Sequence, residues 1–350
     1  MSVAENLAKS IVRLLTDDDR RCLLGEDVRG GGMLGLSKLA ADNEDLKLRL
    51  LGAPLVNAAH VAHAGGLALA GLWPIVLLPS SAALLEALPA LRELGRLPWR
   101  SAGHRSLPVL FVAPDGPGFG LGGDAAESNE ATLAQVPGLE LWTTGRTEDL
   151  ESALRSAADF SQEAPGRPCS PRVLLLPRRL LVDEIEPELD PVDLTSRAAT
   201  AILREGDQAT LFAWGDALRA ALAAADACAA ANPPISVCVV ELARLAPIEP
   251  SMDELIASAQ ATGKLIIAHS GPRTFGLGAE LAAQFADRAI LQLDAPIRRV
   301  CGESTSAARG GVTESATRGG EADLFAGYDE DRASPSAAAI VDAIVDVVNF

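Results

Sequence analysis

Gly52-Ala53-Pro54-Leu55-Val56-Asn57-Ala58-Ala59-His60, running on through the small residues from Ala64 to Gly71, decides how this chain is read. From Val56 to Leu72 the composition is helical, and the alanines and glycines fall on several faces, so that neighbouring backbones can come close. Pro74 to Leu78 reads as the strand after it, and Ser81 to Gly95 as a further helix bounded by Pro79 and Gly95. Upstream, Leu7, Ile11 and Leu14 or Leu15 recur at helical spacing within Ser2 to Thr16, and Arg21 to Leu24 forms a short apolar strand that ends at Gly25-Glu26-Asp27. Alternation of helix and apolar strand on both sides of the quoted stretch is the signature of an α/β fold.

The alternation continues downstream. Leu107 to Ala113 reads as a buried strand, Asp115 to Gly123 as a glycine-rich loop, Ser128 to Gln135 as a helix, and Val173 to Leu176 as a closing strand. Asp183 to Pro191 is acidic, carries two prolines and shows neither apolar period, which marks a solvated linker. Beyond it, strands at Ala209 to Trp214, Ser236 to Leu242 and Leu265 to His269 alternate with helices at Ala217 to Ala230, at Ser251 to Thr262 and from about Gly276. Glu303 to Glu321, rich in Gly, Ser, Thr and Ala, reads as a mobile loop, and Ala337 to Val348 as the closing amphipathic helix. A chain of 350 residues exceeds the usual single core, so two domains are expected: residues 1–182, a linker at 183–193, and residues 194–350 with the loop 303–321.

Charge narrows the partners. A formal charge of −17 repels phosphate backbones and anionic lipid, which argues against nucleic acid and membrane surfaces. Met1 to Thr16 lacks the order of a signal peptide, and every apolar run is far shorter than the roughly 20 residues that cross a bilayer, so a cytoplasmic location is expected. Five scattered cysteines with no Cys-x-x-Cys pair point to buried reduced thiols instead of a zinc site or a disulfide framework. Gly118 to Gly123 fails as a dinucleotide fingerprint, because no clear strand and helix frame it and no acid follows in register.

Several motifs stand in one order along the chain. They are Leu24-Gly25-Glu26-Asp27-Val28 with Gly30-Gly31-Gly32, Gly66 to Leu72 before Pro74, Pro137-Gly138-Leu139, Pro177-Arg178-Arg179-Leu180, Arg204-Glu205-Gly206, Trp214-Gly215, Glu241 to Pro247, Lys264 to Leu277, and Asp294 to Val300. Together they resemble the β subunit of the thiamine-diphosphate-dependent decarboxylase component of 2-oxoacid dehydrogenases, of pyruvate, branched-chain or acetoin type, in the transketolase-like superfamily. The resemblance implies a transketolase-like pyrimidine-binding domain followed by a transketolase C-terminal-like α/β domain. It implies an α-like partner chain that holds the diphosphate and Mg²⁺, an α₂β₂ assembly or a homodimer, and acyl transfer to a lipoyl carrier. Gly215-Asp216-Ala217 with Asn232 does not match the magnesium-diphosphate signature of the other half, so no metal ligand is expected in this chain.

The resemblance also exposes losses. Where the family has a glutamate in Pro-x-x-Glu this chain has Asn57. In the family that carboxyl favours the imino tautomer of the aminopyrimidine, which then takes the thiazolium proton. An amide can hydrogen-bond there but cannot exchange the proton, a loss worth about 10²- to 10⁴-fold in rate. Counting from matched prolines, the family's next acid and aromatic fall on Leu77 and Ser80, its histidine falls on Ala125, and Trp99 stands where tyrosine is usual. These positions imply a degenerate cofactor pocket, hence a noncatalytic or repurposed partner or scaffold of an α-like chain or of itself. The alternative is a functioning β subunit that uses thiamine diphosphate. A rebuilt polar cluster would draw on Asn57, His60 and His63, which recur every three residues, with His104 approaching from a loop and Asp115, Asp124 or Glu127 in support; ordinary packing of these histidines is the simpler reading. His269 reads as structural, and Arg273 as serving an interface or an anion.

Overall fold

A computed structural model describes residues 2–121, 126–161, 168–182, 200–303 and 330–350. Ala125, Asp124, the expected linker 183–193 and residues 304–321 of the expected loop lie outside them. The described elements run α1 (Val3–Asp17), β1 (Arg21–Gly25), α2 (Lys38–Ala41), β2 (Leu50–Gly52), α3 (Asn57–Leu69), β3 (Trp73–Leu77), α4 (Ser81–Glu86), α5 (Leu88–Arg100), β4 (Leu110–Asp115), α6 (Glu130–Ala134), β5 (Glu140–Thr143), α7 (Leu150–Ala158), β6 (Arg172–Pro177) and α8 (Arg178–Val182). After the gap come β7 (Thr200–Arg204), β8 (Ala209–Ala213), α9 (Ala217–Ala229), β9 (Val237–Leu242), β10 (Arg244–Ala246), α10 (Met252–Thr262), β11 (Leu265–Pro272), α11 (Leu277–Ala289), β12 (Arg298–Gly302) and α12 (Ala337–Val348).

Local chemistry explains the borders. Ser2 and Glu5 form a reciprocal capping box at the start of α1, and Val3, Leu7, Ile11, Leu14 and Leu15 make its buried stripe. The helix expected from Ser81 to Gly95 is two: α4 stops at Glu86, and Pro89, which lacks an N–H, sits in the first turn of α5. Gly138 has φ +77°, and a Cβ there would stand 2.0 Å from the Gly95 carbonyl oxygen, so the Pro137-Gly138 turn lies directly on α5.

Two sheets result, both mostly parallel. The first has order β10-β5-β6-β4-β3-β1-β2 and the second β12-β11-β8-β9-β7. Strands β1, β3, β4 and β6 are buried along their whole lengths or nearly so, which is why each reads as an apolar run without alternation. Two short strands depart from the parallel pattern: β10 pairs antiparallel with β5, and β7 antiparallel with β9. Thus β10, from the second half of the sequence, forms the edge of the first sheet.

One apolar cluster joins the facing sides of the two sheets, with Phe111, Leu141, Phe212, Trp214 and Phe285 among its members. A second lies under α1 and α7, and a third under α9 and α12. At the boundary, Glu140 of β5 accepts from Arg172 of β6 and from Arg244 of β10, each at 3.1 Å, with all three side chains buried. No helix among the described residues is long and apolar enough to cross a membrane.

Candidate functional site

The carboxyl ends of parallel strands are where open α/β sheets present their chemistry. Gly52, Gly25 and Leu77 stand in register at the ends of β2, β1 and β3, and Asp115 ends β4. Asn57 is the first residue of α3, just past the end of β2, while Ser80 follows β3 as the N-cap residue of α4. Asn57 is buried, and its Nδ2 donates to Glu86 Oε2 at 2.5 Å. Its Oδ1 has no hydrogen-bond partner, nor has either ring nitrogen of His60, which is 1% exposed one helical turn on. Leu77 is buried and Ser80 half-buried.

The other expected members do not join this group. His63 and His104 are exposed, and Trp99 is 79% exposed at the end of α5. The reason for His63 is geometric: three-residue steps on a helix drift by about 60° each, so six residues place it roughly 120° from Asn57. No group of three or more His, Cys, Asp or Glu side chains among the described residues could hold a metal ion. Glu86 is the residue that sequence reasoning missed. It had a signal, being the only Asp, Glu, Lys or Arg between Arg49 and Arg92.

A second polar group lies where the two sheets meet. Asp115 accepts from Ser128 Oγ at 2.7 Å and from the Asn129 N–H at 3.1 Å, and Asn129 Nδ2 donates to Ser81 Oγ at 2.9 Å. Burial pushes the Asp115 carboxyl above its ordinary value. One residue further, Glu130 takes the Trp214 Nε1–H on Oε2 at 2.6 Å and faces His269 Nδ1 with Oε1 at 2.9 Å. The His269 ring stacks on Trp214, with centroids 4.9 Å apart and planes 13° apart, and its Nε2 lies 3.4 Å from Cys301 Sγ. Burial opposes a charge on His269, but the hydrogen bonds to Cys301 and Glu130 outweigh it and raise the ring from 6.5 to about 9. Nearby, Glu241 accepts from Thr144 Oγ1 at 3.0 Å and from the Gly145 N–H at 2.9 Å, and burial lifts its carboxyl to about 7. Arg273 and Arg299 donate to each other's backbone carbonyls at the surface.

The Asn57 amide donor is engaged by Glu86, Leu77 is apolar and buried, and the two ring nitrogens of His60 are enclosed without a partner.

Comparison with known proteins gives a consistent picture. Residues 198–317 match the family described as transketolase, C-terminal domain. The chain is 28% identical over 312 residues to the 3-methyl-2-oxobutanoate dehydrogenase subunit beta of Mycobacterium tuberculosis, covering 87% of this chain and 84% of that one. It is 28% identical over 307 residues to the pyruvate dehydrogenase E1 component subunit beta of Leifsonia xyli, covering 87% of each, and 27% identical to the Bacillus subtilis protein of that name, covering 87% and 90%. Among solved structures, a split-gene transketolase in the form of an inactive β4 tetramer superposes with a TM-score of 0.71 at 19% identity, covering 100% of this chain and 98% of that one.

Proposed function

We propose that this chain, which is homologous to the β subunits of 2-oxoacid dehydrogenases over most of its length and has a transketolase-like fold, is a noncatalytic β-type subunit that serves as the partner of an α-like chain. The observation that carries the reading is Asn57, an amide at the position of the proton-exchanging acid, bonded to Glu86 instead of being free for a cofactor. Its neighbours Leu77 and Ser80 reinforce it.

A retained binding role is supported by the surface. Trp99 and Phe275, 79% and 88% exposed, stand beside a groove of about 860 Å³ lined by Pro137, Leu245, Ile248 and Leu277. Phe275 sits at φ +57°, a conformation that costs a bulky side chain roughly 1–3 kcal/mol, so the ring is held outward at some expense to the free protein. Exposed aromatics beside an apolar groove are anchors for a partner surface.

The test is to combine the chain with an α-like subunit and measure complex formation, thiamine diphosphate binding and 2-oxoacid-dependent reduction of an artificial acceptor. A complex without turnover is expected, and Asn57→Glu alone does not rescue it because Leu77, Ser80 and Ala125 remain. Turnover at ordinary family rates would sink the noncatalytic reading. A second reading, a functioning β subunit, is favoured by one feature: Glu86 brings a carboxylate to Asn57 and could take over for the missing acid. On that reading Glu86→Gln removes an activity that the unmodified complex displays.

A further inference from the structure

Among the five cysteines, Cys22, Cys228 and Cys238 are buried, and burial pushes their thiols up, Cys22 to about 11. Cys169 and Cys301 are half-buried. Cys169 Sγ points at the Phe160 carbonyl, whereas Cys301 faces an imidazole. That pairing is fixed by the fold, because Cys301 on β12 is the registered neighbour of His269 on the parallel strand β11.

The imidazole has little freedom. It is stacked on Trp214, and a Cβ on Gly278 would stand 2.6 Å from its Nε2 and one on Gly271 3.0 Å from its Nδ1, so backbone closes on the ring from both nitrogens. Glu130 cannot swing away from Nδ1 either, since its other oxygen holds the Trp214 indole N–H. Among the described residues, the ionisable groups facing His269 are therefore Glu130 of α6 and Cys301 of β12, with Asp115 of β4 close enough to Glu130 to feel its charge. Sulfur, imidazole and carboxylate form a relay in which the carboxylate orients the ring and a ring N–H is aimed at the sulfur. At 3.4 Å from the sulfur, Nε2 stands where it can pass a proton to a group that leaves from an attack by that sulfur. The space beside Glu130 and Trp214 is only about 10 Å³, so no acyl or sugar-sized substrate is accommodated there.

We propose that Cys301 is a redox-modification site at which a small peroxide oxidises the thiol to a sulfenic acid, with His269 and Glu130 as its positioning residues. The thiolate sulfur attacks one peroxide oxygen, the O–O bond breaks, and the departing hydroxide takes the proton from His269 Nε2 and leaves as water. Sulfur is oxidised and peroxide is reduced, with no other reactant. The ring ends neutral, so Glu130 loses the charge it had faced, at the junction of the two sheets.

The experiment treats the full chain with hydrogen peroxide in the presence of dimedone and follows adducts by peptide mass spectrometry. At about pH 7, Cys301 is expected to be trapped at least roughly tenfold faster than the half-buried Cys169. His269→Gln and Glu130→Gln should each remove most of that advantage in protein whose circular dichroism is unchanged. Equal rates at the two cysteines, or a rate unaffected by His269→Gln, overturns the proposal. Because a buried variant can fail to fold, the unmodified protein supplies a second measurement: iodoacetamide labelling of Cys301 before and after exposure to hydrogen peroxide. Loss of labelling that dithiothreitol restores is expected, and labelling unchanged by peroxide overturns it.

Discussion

Raising the pH through the titration of His269 should weaken the whole fold, and the structure sets both the size and the window. The ring is wholly buried against Glu130, Cys301 and Trp214, and it titrates near 9 in place of 6.5. At about 1.4 kcal/mol per unit, the folded state gains about 3 kcal/mol from binding this proton more tightly than an unfolded chain does. Since the folded value is the higher one, the contribution is complete below about pH 6.5, declines as the pH rises, and is gone above about pH 9. Glu241 acts in the same direction but earlier: its carboxyl, raised by burial from 4.5 to about 7, contributes fully below 4.5 and not above about 7. The two are separated by His269→Gln, which removes one titration and leaves the other. Thermal unfolding of both proteins between about pH 6 and about pH 9 is the assay. The unmodified protein should hold an advantage at the lower pH that shrinks by about 3 kcal/mol across the window, on the order of 5 °C in Tm for a chain of this size. Parallel stability curves for the two proteins would refute the reasoning.

Three further outcomes rest on separate parts of the structure. Gly278→Ala should destabilise by about 1–3 kcal/mol in a denaturation midpoint, because the new methyl carbon would stand 2.6 Å from Nε2 of the buried His269 ring, in the first turn of α11. Glu140→Ala should cost about 3–5 kcal/mol by leaving the Arg172 and Arg244 charges buried without their shared carboxylate, whereas Glu140→Asp should recover part of it, as urea titrations of the two variants will tell. Trp99→Ala combined with Phe275→Ser should weaken assembly with an α-like chain by at least tenfold in sedimentation or titration calorimetry while leaving thermal stability almost unchanged, since both rings face solvent.

Strands buried on both faces were legible in the sequence because their middles are unbroken apolar runs, with charged residues only at their ends; Leu107 to Ala113 and Val173 to Leu176 mark β4 and β6 to within a few residues. Edge strands were not. Arg244-Leu245-Ala246 has too few residues to show a period, and β7 is half-buried throughout except at the exposed Ile202, so it carries no contrast. Asn57 and His60 were picked out by spacing and do share the buried side of α3, but His63 follows the drift of the helix to its surface. The Glu130 to His269 contact joins residues 139 positions apart, and no local pattern announces such a pairing. Pattern reports the neighbours a residue has along its own element, while the relay at the sheet junction depends on how two sheets meet.

Strand β10 has a consequence for how the chain can be divided. A cut placed between the two sheets in sequence, anywhere in 183–199, would leave β5 as a bare sheet edge with Glu140 facing one arginine instead of two, and would strand Arg244 on the other piece without its carboxylate. The genetic order and the spatial order of the pieces differ by these three residues. Any exchange of halves with a relative, whether by recombination or by design, has to carry the first sheet together with Arg244, Leu245 and Ala246, or supply a substitute for them.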